Sequence, residues 1–106
     1  GEKGDVKELP AYDNGHNVMN QLSYILADTE EYEISFSSVE EVDSTVRRGV
    51  TLNFSCKTYE MAKRVLTEIY NSDYRCILKD LYLNCKEDNE QTTYNVIVDV
   101  VFFEYN

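Results

Sequence analysis

The chain has 106 residues, 42% of them apolar, with nine Tyr, four Phe, one Pro and no Trp. That is core enough for one domain and not two, since two separate cores would each be too small to outweigh chain entropy. Ten basic against twenty acidic residues give a net charge of −10. This argues against a nucleic-acid binder, which needs a basic stripe along the phosphate backbone, and the only clustered cations are Arg47-Arg48 and Lys63-Arg64. No run approaches the roughly 20 apolar residues of a membrane span, and no signal-peptide core is seen.

Residues 1–13 mix charges with Gly and Pro and show no period, so they read as a flexible linker. Gly1, where Met is expected, reads as the remnant of a cleaved tag, so that an excised soluble domain spans residues 14–106 and any membrane anchor would lie upstream. "DNGHN" (Asp13 to Asn17) has the chemistry to turn and to cap a following helix. Val18, Leu22, Ile25 and Leu26 then recur on one helical face, which the pattern ends near Asp28.

"YEISFSS" (Tyr32 to Ser38) and "VRRGVTLNFSC" (Val46 to Cys56) both alternate apolar and polar residues, as half-buried strands do, with "VEEVDST" as an acidic turn between them. Gly49, isolated inside the second strand, suggests a bulge. Thr58 is a fitting N-cap for a second helix, Glu60 suits its first turn, and Tyr59, Ala62, Val65, Leu66 and Ile69 form one apolar stripe. "NSD" (Asn71 to Asp73) stops it.

"YRCILKDLYLNC" (Tyr74 to Cys85) reads as a third strand with Ile77, Leu81, Leu83 and Cys85 broadly on one side. "KEDNEQTT" is a polar hairpin loop. "YNVIVDVVFFEY" (Tyr94 to Tyr105) is apolar on nearly every residue except Asp99. A strand apolar on both faces belongs in the middle of a sheet.

Two helix–strand–strand units imply an α+β fold: a ferredoxin-like two-layer sandwich, circularly permuted to αββαββ, with an antiparallel sheet in the order 1-2-4-3 and both helices on one face. The other face is then open. Parity puts Leu78, Tyr82, Ile97, Val101, Phe103 and Tyr105 there, beside Thr51, Asn53 and Asp99, as a candidate protein interface. Cover by the tail, or a bulge in "VDVVFFEY" that turns Phe103 or Tyr105 inward, is the alternative.

No chemistry-bearing constellation emerges. Cys56, Cys76 and Cys85 contain no CxxC pair, and His16 has no partner at a motif spacing, so neither a metal site nor a catalytic base is expected. In that strand order Cys56 and Cys85 lie two strands apart, about 9–10 Å, beyond the roughly 7 Å that a disulfide spans. Glu30-Glu31, Glu40-Glu41 and Glu87-Asp88 fall in solvated turns, and calcium ligation lacks its D-x-D-x-D-G spacing. No cofactor and no enzymatic activity are expected.

"ISFSS" (Ile34 to Ser38), the run from Val50 to Leu83 and the closing "YNVIVDVVFFEY", preceded by the helix "NVMNQLSYILAD", together resemble the extracytoplasmic domain of PilO-type type IV pilus assembly proteins, related in fold to the secretion component GspM. The resemblance spans about residues 17 to 105. Where that family often has Gly in the turn before Tyr59, Cys56-Lys57-Thr58 stands here. The resemblance implies a structural domain held outside the cell membrane by a single-pass anchor, working as a homodimer or with a PilN-like partner, and it brings no catalytic residue. A small-molecule sensor of ACT type would share the architecture, but it needs a Gly-containing strand-to-helix turn.

Overall fold

The computed structural model describes residues 15–105, except for the side chains of Ser38 and Tyr105. The segment read as tag and linker lies outside the described residues, as do Asp13 and Asn14 of the expected cap. The elements are α1 (Gly15–Leu26), β1 (Glu31–Val42), β2 (Thr45–Cys56), α2 (Tyr59–Tyr70), β3 (Cys76–Asp88) and β4 (Gln91–Tyr105). The fold is α+β, with an antiparallel sheet running β1-β2-β4-β3.

Both helices lie on one side of that sheet. Val18, Leu22, Ile25 and Leu26 from α1 and Ala62, Val65 and Ile69 from α2 join Val50, Leu52, Phe54, Val96, Val98, Val100 and Phe102 in one core. The Cα envelope is only 19 Å in its thin dimension, room for a sheet and a single helical layer. Each large aliphatic side chain so buried contributes about 1.5–3 kcal/mol.

Local chemistry sets the helix ends. Thr58, extended at φ −131°, accepts a hydrogen bond on its side-chain oxygen from the Met61 N–H at 3.1 Å, satisfying a donor that the helix cannot. Asn71 closes α2, its N–H donating to the Thr67 carbonyl. At the second end of the domain, Gly15 opens α1 against Arg48, where a Cβ would come within 2.9 Å of the guanidinium.

Several expectations need correction. The acidic "VEEV" is strand, not turn: β1 continues to Val42 and only Asp43-Ser44 turns the chain. The expected turn failed because Glu40 and Glu41 pair with Arg47 and Val46 across the hairpin, so charge alone did not mean loop. α1 ends at Leu26, short of Asp28. The Tyr59 side chain is 45% exposed and rests on Tyr94 (centroids 6.1 Å apart), and Leu66 lies at the core margin, so Ala62, Val65 and Ile69 seal the sheet.

Two bulges re-aim the sheet. Ser37 and Ser38 together oppose Gly49, where a Cβ would collide with the Ser37 hydroxyl; only glycine admits that approach. Asp80 and Leu81 together oppose Val98, with Asp80 at φ 53°. The second bulge reverses facing along β3, which is why parity fails there. Leu78 pairs with Val100 and packs on the core, while Ile77 pairs with Val101 and faces out. Leu78 is therefore not on the open face, and Ile77 does not share a side with Leu83, the register partner of Val96.

Candidate functional site

On the helix-free side of the sheet, side chains stand in cross-strand rows. Glu40, Arg47 and Phe103 make one row, Ser37, Gly49, Val101 and Ile77 the next, then Ser35, Thr51, Asp99 and Lys79, then Glu33, Asn53, Ile97 and Tyr82. The β4 and β3 half is mostly apolar, crossed by the Asp99–Lys79 row: Tyr82 is 71% exposed, Ile77 48% and Ile97 43%, with Val101 and Phe103 half-buried. The β1 and β2 half is polar. Of the six interface candidates, Tyr82, Ile97, Val101 and Phe103 come together on this face, Leu78 does not, and the Tyr105 side chain lies outside the described residues.

The rows also bring in residues that sequence reasoning missed. A shallow depression of about 400 Å³ lies over this layer beside Gly49, walled by Ser37 and Glu40, by Arg47 and Phe103, and by Thr51, Asp99, Ile77 and Lys79. The Arg47 guanidinium sits 5.9 Å from the Phe103 ring centroid, a cation–π contact. Thr51 donates its hydroxyl to Asp99 at 2.8 Å, which accounts for a carboxylate inside an otherwise apolar strand. The signal for Ile77 lay in its adjacency to Leu78, since two successive apolar residues in a strand face opposite sides.

Behind this face lies a buried ion pair. Glu104 is wholly buried, and Arg48 donates to it through Nε at 2.7 Å and Nη2 at 3.4 Å. It ties β2 to β4 beside the start of α1.

The rest offers little reactive chemistry. All three cysteines are free, with Cys56 and Cys85 on either side of Tyr94 in one cross-strand row. Burial, with the Glu30 carboxylate second, pushes the Cys56 thiol above its ordinary value, which makes it an inert small hydrophobe near neutral pH. The Cys85 charge, and a hydrogen bond to it, raise the Tyr94 phenol. His16 is exposed in the first turn of α1. Among the described residues no three His, Cys, Asp or Glu side chains gather as a metal site, and no helix is long and apolar enough to cross a membrane.

No family model matches the chain, and no curated protein matches it in sequence. Among solved structures, the type 4 fimbrial biogenesis protein PilO from Pseudomonas aeruginosa superposes with a TM-score of 0.78, covering 92% of this chain and 73% of that one, at 10% sequence identity. This chain folds as a PilO-like domain. With so few identical residues the likeness is one of backbone architecture, carried by spacing and alternation instead of by a motif.

Proposed function

We propose that this is a structural, non-catalytic domain of a type IV pilus or related secretion assembly, whose open sheet face docks another protein of that assembly. The observation that carries the reading is the PilO-like fold over 92% of the chain. The face supports it: Ile77, Val101 and Phe103 form one exposed apolar patch and Tyr82 and Ile97 another, with the Asp99–Lys79 row between them, a mix of apolar and polar groups of the kind that interfaces carry. The circularly permuted ferredoxin-like reading of the helix and strand order belongs to the same proposal, as does attachment of the domain to the outer side of the cell membrane. A PilN-like protein or a second copy is the partner we favour.

A membrane two-hybrid assay between full-length proteins tests this. The unmodified protein should pair with itself or with a PilN-like partner from the same assembly locus. The double variant Ile97→Asp/Val101→Asp should lose that signal while folding normally. A signal that survives the double variant overturns the docking face, and no pairing with any assembly component overturns the assignment.

A further inference from the structure

The two edges of the sheet are guarded unequally. β3 carries Lys79 and Lys86 and the bulge at Asp80-Leu81, devices that keep an edge from pairing with another chain. β1 has four Glu and no Lys, Arg or Pro, and no strand among the described residues lies beyond it. Its bulge comes late, at Ser37-Ser38, and leaves Glu31 to Phe36 as an uninterrupted stretch of regular strand.

That stretch has two unlike sides. On the helix side, Tyr32 and Phe36 are 43% and 41% exposed, although their β2 partners Phe54 and Val50 are fully buried. Helical cover therefore thins over β1: Ile34, between the two, still packs against the core, while Tyr32 and Phe36 reach past its margin. Val39, beyond the bulge, is also 46% exposed. On the opposite side, Glu31 and Glu33 pair with Ser55 and Asn53, which carry no charge to balance them.

We propose that Glu31–Phe36 of β1 accepts an added strand from a basic, amphipathic segment of a partner protein. Its apolar residues extend the core over Tyr32 and Phe36, and its Lys or Arg residues lie beside Glu31 and Glu33. Backbone hydrogen bonds supply the affinity of such an addition, and the alternate side chains its selectivity. A second copy pairing through its own β1 would set carboxylates against carboxylates, which is unfavourable, so the occupant is a different chain. Glu31 and Glu33 stand on the polar β1 side of the open face, but the edge backbone is remote from the apolar β3–β4 patch, so the test does not depend on docking through that patch.

The probe is a short peptide alternating Lys and Val, titrated into the isotope-labelled chain and followed by backbone NMR. Controls are a peptide of the same composition with its lysines in one block and a Glu-Val alternating peptide. Saturable shifts centred on residues 31–36 are expected, with the block peptide bound about tenfold more weakly. The double variant Glu31→Lys/Glu33→Lys, at exposed positions that leave the melting temperature unchanged, should switch preference to the Glu-Val peptide. Equal binding of both Lys peptides, shifts centred on Ile97 and Val101, or no binding would overturn the proposal. So would β1 shifts on raising protein concentration alone, which mark a second copy. Outer β1 amides already protected from exchange without peptide would show the chain covering its own edge, and would overturn it too.

Discussion

On the helix side of β4, Val96, Val98, Val100 and Phe102 are at most 1% exposed, whereas Ile97, on the other side of the same strand, is 43% exposed. Both rows share one backbone and both carry large apolar residues, although Asp99 interrupts the outward one, so hydrophobicity alone does not distinguish them; the single helical layer does. Residues under that layer contribute the transfer free energy that holds the domain together, and those opposite contribute little to it. A surface so apolar that does little for stability has to be explained by something other than folding.

The comparison can be strained from its covered side first. Phe54→Ala should cost about 3–5 kcal/mol, because a fully buried ring facing the helical layer leaves a cavity that its neighbours cannot fill. Urea denaturation would read this as a fall in midpoint with unchanged slope. Next comes the ion pair: Arg48→Ala removes the guanidinium from the buried Glu104 carboxylate and should cost about 3 kcal/mol, while Arg48→Ala/Glu104→Leu should recover much of it in the same assay. Smaller, and of opposite sign, is the β3–β4 turn. Asn89 and Glu90 both sit at positive φ (51° and 67°), a two-residue loop that favours Gly second, so Glu90→Gly should raise stability by about 0.5–1 kcal/mol in thermal melts.

Much of the covered side was legible beforehand. The stripe Ala62, Val65 and Ile69 behind a Thr58 cap gives helical spacing with a start signal, and both match α2. The open side was harder. Leu78 and Tyr82 are four apart, so parity joins them, but the bulge at Asp80 puts an odd residue into β3 and separates them. Nothing in "KDLY" announces that: a positive φ at Asp80 is a choice made by pairing with β4. The Arg48–Glu104 bond was half visible. Both residues fall on the inward parity of their strands, Arg48 with Val50 and Leu52, Glu104 with Val100 and Phe102. Only the register between β2 and β4 brings the two charges together, and register is a tertiary property. The depression beside Gly49 was missed for the same reason, since its walls come from all four strands.

Hydroxyl-radical footprinting of the full-length protein, alone and with its assembly partner, tests the central claim most directly, because each surface carries exposed tyrosine. Tyr82 reports on the open sheet face, at 71% exposure, and Tyr24 and Tyr70 report on the helices, at 84% and 59%. Docking through the sheet predicts that Tyr82 loses reactivity in the complex while Tyr24 and Tyr70 keep theirs. Protection of Tyr24 and Tyr70 with Tyr82 left reactive would contradict it.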